Sequence, residues 1–458
     1  MQIEDLTATL LDDATARAKR YLSSLDARSV AASPAAIAAL ARLSEPLPAG
    51  PSNPADVLAL LDAVVSPATM AMAGRRFFGF VIGGSLPVTL AANWLAGAWD
   101  QNAALARVTP GVARLEEVSL MWLKDLLGLP ASCEGAFVTG ATMANFTALA
   151  AARNAVLKRV GWAVEAEGLF GAPPITVIVG DEAHPTLLKS LGLLGLGRTR
   201  VVRVAVDSAG RMRADALPRI TGPTILCLQA GNLNTGAFDP CDRICPAARA
   251  AGAWVHVDGA FGLWALASRE LTSLAPGINL ADSWATDAHK WLNVPYDSGI
   301  AFVREPGVLP AAMAITADYL PTEADVRNPA DFTPELSRRA RGVEVWAALR
   351  ALGRSGVAEM IERNCRQAQR FAARLSAAGF AILNDVVLNQ VLVSFGSPPT
   401  TRRVIEAVQA DGTCWCGATI WQGHTAMRIS VCSWATTDAD VERSADAIIR
   451  IARQAVSS

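Results

Sequence analysis

The sequence predicts an α/β fold on a mostly parallel sheet, and three features of its middle part carry that reading. From about Gly135 onward, short β-rich runs alternate with helical runs. These runs are near-continuously apolar, as expected of strands covered by helices on both faces. Several are followed at once by helix-patterned segments, the order of a βαβ chain. The expected strands are 136–138, 175–179, 201–204, 224–228, 254–257, 283–285 and 300–303, with helical patterns at 143–160 and 185–194 between them.

The flanks read differently. Residues 1–75 are helical material in which Ala, Leu and Arg recur, until a Pro-rich stretch at 46–54 interrupts the pattern. That segment is too short and too amphipathic for an independent core, so it is expected to pack on another body such as a second subunit. Beyond the middle, 343–378 is long helical material and 391–395, 418–421 and 427–432 are expected strands of a smaller sheet. A final helix is expected over 438–455, with Thr437 and Asp438 as caps. The expected organisation is therefore an N-terminal helical segment (1–75), a large domain (76–345) and a small C-terminal α/β domain (346–458).

Composition excludes several functions. The 458 residues carry a net charge of -1, with 52% hydrophobic and 18% charged. A nucleic-acid protein should show a basic excess, and a chain this apolar is not disordered. Mean hydropathy is positive at +0.28, yet the most apolar stretch, 77–99, is broken by Gly83, Gly84 and Pro87. The first residues lack the basic-then-apolar order of a secretion signal, so a cytoplasmic location and no membrane partner are expected. The cysteine pairs 241/245 and 414/416 have no second CxxC and no suitably spaced histidine, so no metal is expected.

GxxxxGK[ST], a post-strand GxGxxG, GxSxG and HExxH are all missing. Four other segments stand out by their order. Residues 138–145 (VTGATMAN) run from a strand through small residues into a helix, whose N-terminal amides make an anion site. Residues 181–185 (DEAHP) put His184 past a strand end. Residues 254–261 (WVHVDGAF) end an apolar strand on Asp258, a carboxylate that needs a cationic or N–H partner there. Residues 283–291 (SWATDAHKW) hold Lys290, one of only five lysines, beside His289. A desolvated lysine there can form a Schiff base. Each segment also has an ordinary reading as a turn, a cap or a surface lysine; the order and spacing of the four together are what point to chemistry.

With these four segments in this order, the chain resembles the group II pyridoxal-phosphate-dependent decarboxylases, the family of aromatic-L-amino-acid decarboxylase. The resemblance is strongest from about Phe77 to Val303. It implies an aminotransferase-like type I fold, a homodimer over which residues 1–75 wrap, pyridoxal 5'-phosphate as cofactor and a small amino-acid substrate. Lys290 matches the lysine that forms the internal aldimine, and Asp258 the aspartate that pairs with the pyridinium nitrogen. His184 matches the histidine stacked on the cofactor near the substrate carboxylate, and Ala260 the residue packed against the ring. Ala141 and Thr142 match the phosphate-binding pair. His289 and Asn234 match neighbours of the phosphate or ring.

Three departures bear on the reaction. Relatives carry a proton-donating tyrosine in a loop matching 321–336, where this sequence has none. Tyr319 lies just before it in a shared Tyr-Leu pair, and Tyr296 sits among neighbours that look structural. His184 as the acid, or partition of the carbanion to oxygen to give an aldehyde and ammonia, are the other options. Asp287 stands where relatives usually have asparagine. Ile82 stands where a catechol-binding relative has threonine. The expected activity is amino-acid decarboxylation to amine and CO2. Aldehyde formation or C–C lysis on the same cofactor are alternatives, and a non-catalytic cofactor-binding regulator is an alternative of another class.

Overall fold

The computed structural model describes residues 3–315 and 326–457. Tyr319 and positions 321–325 of the loop compared above lie outside the described residues. The chain divides into two compact units. The larger comprises 83–369 and 384–391; the smaller comprises 1–82, 370–383 and 392–458.

The larger unit is built on seven strands: β1 (Glu134–Val138), β2 (Thr176–Gly180), β3 (Val202–Val204), β4 (Thr224–Gln229), β5 (Trp254–Asp258), β6 (Ser283–Asp287) and β7 (Gly299–Val303). Their order is β1-β7-β6-β5-β4-β2-β3. β7 runs antiparallel to both β1 and β6; the pairs from β6 through β3 are all parallel. Each expected strand is present within two residues of its expected ends. β5, β6 and β7 are buried along their whole length, which is why their apolar runs do not alternate.

The helix Ala141–Lys158 packs on this sheet through small side chains. Ala144 and Ala148 meet Val138, Ala285 and Ala301 in one cluster. Close approach is enforced where the chain enters the helix: a Cβ on Gly299 would run into the Gly140 backbone. A second cluster joins Leu149, Val156, Leu187 and Leu191 to strand residues Val177, Val179 and Ile225. The interior also holds a polar chain. Trp254 Nε1 donates to Ser283 Oγ at 2.8 Å, and Ser283 Oγ lies 2.9 Å from His256 Nδ1. His256 Nε2 reaches Asn145 Oδ1 at 2.8 Å. Burial pushes the His256 imidazole down to about 3, so it is neutral. Its Nε2–H then donates to Asn145, because Nδ1 is left to accept from the serine hydroxyl.

In the smaller unit, the helix Ile3–Ser24 contributes Tyr21, and Leu25 follows it, to a cluster with Val30, Ala71, Phe77, Ile82 and Trp415. Phe77 stacks on Trp415 with centroids 5.0 Å apart. A four-stranded sheet has the order β10-β11-β9-β8, where β8 is Ala381–Ile382, β9 Gln390–Ser394, β10 Gly417–Trp421 and β11 His424–Ser430. β9 begins at the boundary between the units. The β10–β11 hairpin closes through Gln422 and Gly423, both at positive φ (45° and 85°), as a two-residue turn matched to strand twist requires. The two-residue β8 was not expected from the sequence. The expected long helix spans Gly342–Ala377 and breaks its helical geometry at Gly353, φ 61°. The last helix is Asp438–Ser457, one turn's hydroxyl–carboxylate contact before it joining Thr437 Oγ1 to Asp440 Oδ2 at 2.6 Å. The N-terminal segment and most of the C-terminal part thus share one unit. No described helix is long and apolar enough to cross a membrane.

Candidate active site

The parallel strands end together at one edge of the large sheet, where α/β folds bind ligands. Register puts Asp258 opposite Gln229 of β4 and Ala285 of β6, and Asp287 opposite Gly299 of β7. The segments that follow β1, β2, β5 and β6 therefore converge, and each is one of the four singled out by sequence. They surround a cavity of about 340 Å³. Ala141, Thr142, His184, Asp258, Ala260, His289 and Lys290 all line it. Asn234 does not. Its backbone N–H donates to Asn232 Oδ1 at 2.8 Å inside the 231–236 turn, and from this turn the cavity is lined by Gly231 and Leu233.

Asp258 is 5% exposed at the end of β5. Burial pushes its carboxyl above the usual range; His184, Lys290, the Asn145 amide and the Ala260 N–H oppose that shift. The Ala260 N–H lies 3.3 Å from Asp258 Oδ1. Asn145 Nδ2 has no acceptor at hydrogen-bond distance, so its influence on Asp258 is that of a nearby dipole rather than of a formed bond. The His256–Asn145 contact orients that amide, since the oxygen is committed to the imidazole. Neither residue was marked by the sequence reading. Their signal was present only as a polar histidine inside an otherwise apolar strand.

His184 caps the helix Pro185–Leu193. Its Nδ1 accepts from the Thr186 N–H at 3.2 Å and lies 2.6 Å from Thr186 Oγ1. In the neutral ring those contacts leave the proton on Nε2. His289 is fixed in the same way: the Ser298 N–H donates to its Nδ1 at 3.0 Å. Burial lowers its pKa, Asp287 opposing.

Lys290 follows β6 in a tight turn and lies with its Nζ 3.3 Å from Asp287 Oδ2 and 5.9 Å from the Phe261 ring centroid. Asp287 thus has a partner, as a carboxylate here requires. Its other oxygen accepts from the Ala141 N–H at 2.6 Å and lies 3.4 Å from His289 Nε2. Tyr296 also lines the cavity, with its ring stacked on His289 at 4.3 Å. The sequence reading weighed this tyrosine as a proton donor but took its surroundings as structural; it belongs to the cavity wall. Among the described residues no cluster of three or more metal-ligating groups occurs.

The model of the pyridoxal-dependent decarboxylase conserved domain matches residues 41–396. An aromatic-L-amino-acid decarboxylase of Bacillus atrophaeus is 29% identical over 349 residues, covering 74% of this chain and 70% of the relative. An L-2,4-diaminobutyrate decarboxylase of Rhizobium meliloti is 30% identical over 386 residues, covering 80% of this chain and 74% of the relative. The fold matches that of Oryza sativa TDC, solved with PLP and tryptamine, with a TM-score of 0.91 at 21% identity over 99% of both chains. The expected type I fold is thereby shown. The chain belongs to the pyridoxal-dependent decarboxylase family, lyases that use pyridoxal 5'-phosphate to remove the carboxyl group of an amino acid.

Proposed function

We propose that this chain decarboxylates an L-amino acid with an aromatic or other apolar side chain, releasing the amine and CO2, with Lys290 and His184 as catalytic residues. The observation that carries the reading is the meeting of Lys290, Asp258 and His184 at one cavity with the N-terminus of the helix Ala141–Lys158 at its edge. The residues fit the cofactor. The cavity is of the size that holds small cofactors. Buried Asp258 is a carboxylate whose desolvation cost a protonated ring nitrogen would offset. Ala141 and Thr142 start a helix and so suit a phosphate, Ala260 would pack on the ring, and His289 and Asn234 would stand near phosphate or ring.

When bound, the cofactor supplies an electron sink for the bond to the departing carboxyl group. Lys290 would supply the amine that holds the cofactor. Asp258 keeps a negative charge at the base of the cavity, where a nearby cation remains protonated. His184, pinned through Nδ1, offers its Nε2 proton to groups in the cavity and positions the substrate carboxylate. The decisive experiment is a panel of L-amino acids scored for CO2, amine, aldehyde, ammonia and peroxide together. Amine and CO2 in equal amounts from an apolar or aromatic substrate are expected. Aldehyde with ammonia would instead establish the second reading, which the lack of tyrosine in 321–336 favours. No turnover by cofactor-loaded protein across the panel would defeat both and favour a non-catalytic cofactor-binding role.

Assembly as a homodimer in the cytoplasm completes the proposal. Two exposed apolar surfaces support the dimer. One is on the helix Pro87–Trp99, with Trp94, Leu95 and Trp99 exposed. The other is a groove lined by Leu10, Leu11, Val57 and Leu58 in the segment 1–75. Light scattering at assay concentration is expected to give twice the chain mass; a fully active monomer would refute the dimer.

A further inference from the structure

We propose that Asp287 is a built-in competitor for the cofactor's phosphate, so that this site holds the cofactor less tightly than its donors alone would allow. The inference rests on the reading of Ala141 and Thr142 as the phosphate cradle, and it concerns how that cradle is tuned.

The Asp287 carboxylate is 4% exposed and its backbone is held on both sides. Its N–H donates to Ala260 O at 2.9 Å, and its carbonyl accepts from Trp264 Nε1 at 2.9 Å. The side chain is held by its own contacts. Oδ1 accepts the Ala141 N–H at 2.6 Å, a donor at the first turn of the helix Ala141–Lys158. The first amides of a helix have no partner within it and form the positive end of its dipole. The same carboxylate lies 3.4 Å from His289 Nε2 and 3.3 Å from Lys290 Nζ. Gly140 leaves it room: a Cβ there would stand 3.4 Å from Asp287 Oδ1 and 3.1 Å from the His289 ring.

Asp287 thus engages the three kinds of donor that an anion at this helix end would draw on: a helix-terminal amide, an imidazole N–H and an ammonium. A phosphate brought to the same turn must either share the Ala141 N–H or displace the carboxylate from it. In both cases two anions face each other across a low-dielectric wall, which weakens binding of the second. Asparagine at this position would keep the shape and an acceptor for Ala141 while removing the charge.

The test compares affinities of wild-type chain, Asp287→Asn and Asp287→Ser, first stripped of cofactor, for pyridoxal 5'-phosphate and for pyridoxal, which lacks the phosphate. Binding is read by absorbance and fluorescence titration. The expected result is that both variants bind pyridoxal 5'-phosphate about tenfold tighter or more, a shift of about 1.4 kcal/mol. Pyridoxal affinity should change less than about twofold, well under that shift. The stripped variants should also melt at a lower temperature than stripped wild type, because a neutral side chain no longer places a negative charge at the positive end of the helix. Tighter binding together with lower stability is a combination that a merely damaged site would not produce. Equal tightening for both ligands would overturn the proposal, because Asp287 would then act through Lys290 rather than through the phosphate. Unchanged or weaker binding of pyridoxal 5'-phosphate would overturn it as well. Thr142→Val, measured beside them, separates the two levels of the reading. If it leaves the preference for the phosphorylated ligand intact, the cradle itself is misassigned and the proposal falls with it.

Discussion

Replacing Lys290 with alanine is expected to reduce decarboxylation by roughly 10⁴-fold or more, which corresponds to about 5.5 kcal/mol in the barrier. Among the described residues it is the only lysine lining the cavity. The other four, Lys19, Lys124, Lys158 and Lys189, do not line it, and Lys124 is committed to the carbonyls of Ala131 and Cys133 at 2.8 Å each. No neighbouring amine is therefore placed to substitute. The measurement is twofold. Turnover is followed by amine release, and cofactor attachment by borohydride treatment and peptide mass. Wild-type protein should carry the reduced cofactor on the peptide containing Lys290, and the variant should carry none. A variant that still fixes cofactor under borohydride, or that keeps more than about one hundredth of the activity, would remove Lys290 from its role.

Asp258→Asn should separate catalysis from stability. The substitution keeps the size and an oxygen for the Ala260 N–H, but removes a charge that burial already disfavours. We expect kcat to fall roughly 10³-fold, about 4 kcal/mol, because no fixed negative charge then holds a cation protonated at the base of the cavity. Folding stability should hold or rise, since desolvation outweighs the partners of this carboxylate and a neutral amide is spared that cost. Parallel measurement of kcat and of the urea midpoint decides it. A variant that loses both together would show Asp258 to be structural. One that keeps kcat would show that its charge does not matter.

The strands of the large sheet were legible because the signal is local. A run such as Ile225, Leu226, Cys227 and Leu228, apolar without alternation, reads as a strand buried on both faces. β8 was not legible, since two residues in an extended bridge to Val393 and Ser394 leave no periodic trace. The break in the long helix at Gly353 was also hidden, because glycine alone does not announce a positive φ. In the site, Lys290, His184 and Asp258 could be named from strand-end position and spacing together with family resemblance. The orientation of the Asn145 amide by His256 beside Asp258 could not. It depends on two side chains 111 residues apart in sequence meeting at 2.8 Å.

The same division holds for the molecule as a whole. The sequence by itself determined the α/β class, the run of strands and the identity of the groups able to do amine and carboxylate chemistry, because these follow from local apolar pattern and from residue type. Only the tertiary structure decided which donors each group meets. Parallel pairing of β5 with β6, and antiparallel β7 between β6 and β1, bring the ends of β1, β5 and β6 to one edge. There an Asp287 carboxylate can take an amide that lies 146 residues earlier in the chain. Such a contact is set by strand order and helix packing, and electrostatics at that range falls too steeply with distance for any linear pattern to encode it.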